Sequence, residues 1–168
     1  MLATVLRPAT THDLPFLWAM LAAAAGADGP PMPPEEVATN AELRRYLDGW
    51  GRDGDVGLVA TDDHGEALGA AWYRTFTADE PGYAFVDEAT PELAIALGPA
   101  ARGKGLGHQL VGGLLDQAHA DGVAQLSLSV RATNAAAVKV YENTGFVTVG
   151  TDAEGLHLTM VAPTSRPA

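Results

Sequence analysis

Arg102-Gly103-Lys104-Gly105-Leu106-Gly107 constrains this 168-residue chain more than any other stretch. Before it, Glu92 to Leu97 alternates and breaks at Gly98-Pro99, which predicts a strand. After it, Leu106, Leu110, Leu114 and Ala118 recur at helical spacing, and Val111 and Leu115 widen the apolar face. A glycine turn that feeds a helix leaves several backbone N–H groups without partners inside the helix. The helix dipole places roughly half a positive charge at the same end, and Arg102 and Lys104 add full charges. Such a turn suits a phosphate. The same glycines would equally serve a plain tight connection from strand to helix. The pattern lacks the Gly-Lys-Ser/Thr ending of a P-loop and the full G-x-G-x-x-G with a later acidic residue.

Composition removes several alternatives. The length suggests one domain over residues 1–168 with room for a core, its tail after about residue 162 frayed. With 21 acidic against 10 basic side chains, the chain carries a net charge of −11, which argues against a nucleic-acid or anionic-membrane partner. Without cysteine, disulfides and thiolate catalysis are excluded. The five histidines are scattered without ligand spacing, so no metal is expected. Phe16 to Ala25 is apolar and Ala25-Gly26-Ala27 has the small-x-small look of a cleavage site. However, Asp13 and Pro15 stand where a basic region belongs, so the run reads as a helix of a cytoplasmic protein.

The remaining elements follow from periodicity and breakers. Ala3 to Arg7 is a short strand that Pro8 closes, and Thr10, Thr11 and Asp13 offer caps for a helix through Leu14, Leu17, Trp18 and Leu21. Gly26 to Pro34 is a proline-rich surface loop. Glu35 to Trp50 reads as a second helix with Leu43, Tyr46, Leu47 and Trp50 on one face. Strands are expected over 56–61 and 66–76, as a fragment over 83–86, and over 124–130, 146–150 and 156–161. A short helix over 134–143 ends at Gly145. The result is a mixed α/β domain.

That short helix carries a second pattern. Asn134, Ala137 and Tyr141 fall on one stripe within two turns. Alone, they would be a cap, a packing residue and a core aromatic with a wet hydroxyl. Taken with the glycine turn, the order is telling: R-x-x-G-x-G after a strand ending in x-Pro, another strand, then N-x-x-A-x-x-x-Y-E-x-x-G-F. This resembles the GNAT superfamily of acetyl-CoA-dependent N-acetyltransferases over roughly Val56 to Val161.

The resemblance implies a fold and a site. The fold would be a central mixed sheet of about six to seven strands flanked by about four helices. Acetyl-CoA would be the co-substrate. Arg102, Gly103, Lys104, Gly105, Leu106 and Gly107 would hold its pyrophosphate. Ala96, Leu97 and Gly98 would run along the pantetheine arm, with Ser127 to Val130 across a gap between splayed strands. Asn134 would bond the arm, Ala137 would leave room for it, and Tyr141 would donate a proton to the departing thiolate. A neutral amine must attack the thioester directly, so a base is needed. Glu92 is the first candidate and Glu88 the runner-up. The backbone N–H near Leu97 is the expected oxyanion donor.

The implied activity is acetyl transfer from acetyl-CoA to a primary amine in a ternary complex. A coenzyme A-binding sensor without catalysis and an unrelated nucleotide-directed phosphate module are the alternatives. Asp79, Glu80, Asp87, Glu88 and Glu92 interleave with Trp72, Tyr73, Phe76, Tyr83 and Phe85, on the side from which the family's acceptor enters. Carboxylates beside aromatic faces suit a small cationic amine or an exposed peptide amine. The oligomeric state stays open, a homodimer included.

Overall fold

The computed structural model of the chain describes residues 4–26 and 29–165. Ala3 of the expected first strand, Ala27 and Asp28 of the proline-rich loop, and residues 166–168 of the expected frayed tail lie outside the described residues. The first strand, β1 (Val5–Pro8), ends on Pro8 itself. Pro8 is tolerated because β1 is an edge strand, so the missing N–H breaks no central ladder. Thr10 and Asp13 form a capping box, and Arg7 donates to both Asp13 carboxylate oxygens at 2.8 Å. From there α1 (Leu14–Ala25) starts with Pro15 in its first turn and buries Leu17 and Leu21.

The expected helix from Glu35 to Trp50 is broken. It forms α2 (Pro34–Thr39) and a single turn, α3 (Ala41–Arg44). Asn40 causes the break. Its backbone is extended, and its side chain accepts from Leu43 N at 3.1 Å, so it stops one helix and caps the next. The turns beyond α3 still carry Tyr46 and Leu47 into the core.

A seven-stranded sheet follows in the order β1-β2-β3-β4-β5-β7-β6. Its strands after the first are β2 (Val56–Thr61), β3 (Ala67–Arg74), β4 (Glu92–Leu97), β5 (Gln125–Arg131), β6 (Val147–Thr151) and β7 (His157–Pro163). The helices α4 (Leu106–Ala120) and α5 (Ala135–Asn143) complete the element order. All neighbouring strands are antiparallel except β4 and β5.

Residues 83–86 are not a strand. Phe85 N closes a turn on Gly82 O at 3.3 Å, and other polar groups there go to side chains. Tyr83 N donates to the Tyr46 hydroxyl, Ala84 N donates to the Glu92 carboxylate, and the Ser127 hydroxyl donates to Ala84 O.

Two cores lie on opposite faces of the sheet. On one, α4 packs Leu110, Val111 and Leu114 against Leu93, Leu126 and Met160. On the other, α1 and residues 37–47 pack against Val59, Ala70 and Trp72. Strand alternation therefore turns Leu93, Ile95 and Leu97 toward α4, and Glu92, Ala94 and Ala96 toward α1. No helix among the described residues is long and apolar enough to cross a membrane.

Candidate active site

β4 and β5 meet at one register pair, Glu92 with Ser127, where Ser127 N donates to Pro91 O at 2.9 Å. Beyond that pair the strands part. Gly98 N donates to Leu68 O at 2.8 Å, on the β3 side. The alternation of an antiparallel ladder then turns the N–H groups of Ile95 and Leu97 the other way, into the opening toward β5. Ala96 and Gly98 turn their N–H groups to β3, and Gly98 O accepts from Ala101 N at 3.0 Å. Of the three residues expected along the opening only Leu97 presents its backbone there, and Ile95, which the sequence reading missed, joins it.

The glycine turn lies just past the end of β4. A 3₁₀ turn over Pro99–Ala101 leads into it, and Gly103 and Gly105 take φ of 76° and 79°. Both values lie in the left-handed region that glycine enters without a Cβ clash. Gly105 is the N-cap of α4 and makes no side-chain cap bond. Leu106 is buried, which anchors the helix start, while Arg102, Gly103, Lys104 and Gly105 are exposed. Nothing stands within 4 Å of a Cβ placed on Gly103 or Gly105. The open ground above the turn, the uncapped N–H groups and two free-standing cations form a cradle for an anion.

On α5, Asn134, Ala137 and Tyr141 turn inward while Ala135, Ala136 and Lys139 are exposed. Asn134 caps the helix, its carbonyl oxygen accepting from Ala137 N at 3.2 Å, so the amide NH₂ is the group left for a ligand. Tyr141 packs edge-on against Phe146 with ring centroids 6.0 Å apart. Burial pushes its hydroxyl up to about 12. It belongs to the α4 face of the sheet.

Glu92 belongs to the opposite face and is 2% exposed. One carboxylate oxygen accepts from the Tyr46 hydroxyl and the other from Ala84 N at 2.9 Å. Burial raises its pKa to about 7, against the pull of those two donors toward the ionised form. Gly82 presses on the carboxylate so closely that a Cβ there would collide with it. Glu88 is exposed and accepts from Ala78 N at 3.2 Å, holding its own loop. The runner-up base is thus a turn residue.

The aromatic partners expected around the acidic run divide in the same way. Trp72, Tyr73 and Phe76 are buried core, with Trp72 and Tyr73 on opposite faces of the sheet. Phe85 is half-buried and Tyr83 is exposed. Asp87 accepts from Ala89 N at 2.9 Å as a turn cap.

Residues 21–146 match the acetyltransferase (GNAT) family. The chain belongs to that family. A mycothiol acetyltransferase of Beutenbergia cavernae is 32% identical over 124 residues, 72% of this chain and 38% of that protein. The aligned part spans less than two thirds of the length of the curated relatives matched, 59% of an L-methionine sulfoximine/L-methionine sulfone acetyltransferase of Pseudomonas paraeruginosa, which is 33% identical over 63% of this chain. Among solved structures, a spermidine N-acetyltransferase from Vibrio cholerae in complex with CoA and spermine superposes with a TM-score of 0.68 over 96% of this chain and 95% of that one. At 20% identity this last likeness shows the fold alone.

Three residues that the sequence did not single out stand at the candidate site: Tyr46 and Ala84 bond the Glu92 carboxylate, and the Ile95 N–H faces the opening. Tyr46 had a signal, since it shares an apolar helical face with Leu43 and Leu47, but that signal pointed to packing. Ala84 had none.

Proposed function

We propose that this chain is a cytoplasmic, single-domain N-acetyltransferase that moves an acetyl group from acetyl-CoA to a primary amine by direct attack in a ternary complex. The opening between β4 and β5 carries this reading. It offers the unpaired N–H groups of Ile95 and Leu97 to an extended ligand, and it lies between Tyr141 on one face and Glu92 on the other.

Each residue has a role in this reading. Arg102, Gly103, Lys104, Gly105, Leu106 and Gly107 hold the pyrophosphate, chiefly by backbone N–H groups. Ile95 and Leu97 pair with the pantetheine arm, and Leu97 N–H donates to the thioester carbonyl oxygen. The Asn134 amide bonds the arm and Ala137 leaves it space. Tyr141, protonated at any physiological pH, donates to the departing thiolate. Burial that makes the phenol a weak acid also makes a thiolate beside it a stronger base. Glu92, poised near neutrality, takes the proton of an amine whose own pKa is about 10.4.

Calorimetric titration with acetyl-CoA against ATP tests the cradle. Coenzyme A release with polyamines, amino-acid amides, peptides and aminoglycosides tests the transfer. Binding of ATP in preference to acetyl-CoA would sink the assignment. One observation favours a second reading: Glu92 is sealed by Tyr46, Gly82 and Ala84, as suits a coenzyme A-binding sensor. Tight acetyl-CoA binding without thiol release from any amine selects that reading.

A further inference from the structure

The group that shapes Glu92 most is a tyrosine from the other end of the fold. We propose that Tyr46 is a positioning residue of the transfer reaction, its hydroxyl holding the Glu92 carboxylate in place and keeping it in the proton-accepting form. The inference rests on Glu92 being the base, as argued above.

The geometry is that of a built holder. The Tyr46 hydroxyl donates to one Glu92 oxygen and itself accepts from Tyr83 N at 2.9 Å. A hydroxyl that accepts one bond becomes a better donor for the next. The tyrosine is fixed at both ends. Its carbonyl accepts from the Trp72 indole N–H at 3.0 Å, and its ring lies 5.1 Å from Phe76 and 6.0 Å from Tyr83. Ala84 N occupies the other carboxylate oxygen at 2.9 Å, and Gly82 closes the space above. Glu92 has few positions left to take.

The charged and titratable groups from the packed elements are committed elsewhere. Arg74, the register partner of Glu92 on β3, donates to both oxygens of Asp55 and to the carbonyls of Arg45 and Asp48. Arg45 donates to Pro81 O. Tyr83 stacks on Tyr46, its own hydroxyl pushed up to about 12 by burial and by the neighbouring Glu42 carboxylate. On the β5 side stands Ser127, whose hydroxyl is spent on Ala84 O. With burial raising the carboxyl and only neutral donors opposing it, the Tyr46 hydrogen bond has outsized weight.

The test uses the full chain labelled with ¹³C at glutamate carboxyl carbons, with Glu92→Gln assigning the Glu92 signal. In the wild type that signal titrates near 7. Tyr46→Phe, which removes one oxygen and keeps both ring contacts, moves it up by about one unit or more, which lowers the ratio of ionised to protonated carboxyl about tenfold. Fluorotyrosine incorporation, which makes the phenol a stronger donor, moves it down and covers the case in which Tyr46→Phe fails to fold. For Tyr46→Phe the acid limb of kcat/KM for coenzyme A release shifts upward as well, and rates converge at high pH. An unmoved Glu92 titration in both variants overturns the proposal. A Glu92→Gln enzyme that keeps the wild-type limb overturns the base assignment, and with it Tyr46's place in the reaction, whatever the carboxyl signal does.

Discussion

Glu92 and Ser127 form the one register pair between β4 and β5 among the described residues, and both side chains bond the backbone of Ala84. The point where the two strands part is therefore pinned from outside the sheet by a single alanine. Above the pin, the N–H groups of Ile95 and Leu97 face an opening instead of a neighbour. The arrangement ties the candidate base, the strand junction and the opening proposed for the ligand to one loop, and each has measurable consequences.

Glu92 makes stability depend on pH in an unusual direction. Its folded pKa, about 7, lies above the ordinary 4.5, so the native state binds the proton more tightly than the unfolded chain. Stability is then unaffected below about 4.5, falls as pH rises toward 7, and stays lowered above it, by about 3 kcal/mol. Glu92→Gln should remove this slope. Urea unfolding at pH 5 and pH 8 should show a smaller difference for the variant than for the wild type, and an equal difference would contradict the burial effect.

The glycine turn can be probed for charge separately from backbone strain. Gly105→Asp and Gly105→Asn both place a side chain at φ 79°, and both residue types tolerate that region better than most. Only the aspartate adds a negative charge to the anion cradle. Acetyl-CoA affinity measured by calorimetry should fall further for the aspartate, by about tenfold beyond the asparagine. Arg102→Ala should cost less than Gly105→Asp, because the backbone donors remain.

Tyr141→Phe keeps the edge-on contact with Phe146 and loses the donor. Turnover should drop by about 10²–10⁴-fold, with acetyl-CoA affinity nearly unchanged. Coenzyme A release and calorimetry on the same preparation check the pair of values. Unchanged turnover would mean that the thiolate leaves unaided or takes its proton from water.

Asp87→Asn and Glu88→Gln should leave turnover with cationic amines within about twofold of wild type, because surface groups of this kind contribute little. Both residues are exposed and serve the loop backbone, at Ala89 N and Ala78 N. Steady-state kinetics with a polyamine decides it. A large selective loss would support the acidic mouth that the sequence suggests.

What the sequence determined by itself is local. Glu92 to Leu97 was legible as a strand and Leu106 to Ala120 as a helix, because alternation and helical spacing report which face each residue buries. The glycines at 103 and 105 and the Asn134–Tyr141 stripe were legible for the same reason, since a turn or a cap is set by its own few residues. Asn40 was the local exception. It sits in a run of good helical spacing, and its cap bond to Leu43 outcompeted the continuous helix.

What only the tertiary structure decided is distant. Tyr46 and Glu92 are 46 positions apart, and Ser127 and Ala84 are 43 apart. No periodicity encodes such pairs, because they form only where two faces are brought together by the rest of the fold. The same packing buried Glu92, which the sequence offers only as a strand-end carboxylate and first candidate base, and raised its pKa. It also assigned Trp72, Tyr73 and Phe76 to the core and Asp87 and Glu88 to the loop surface, since interleaving in sequence carries no information about depth.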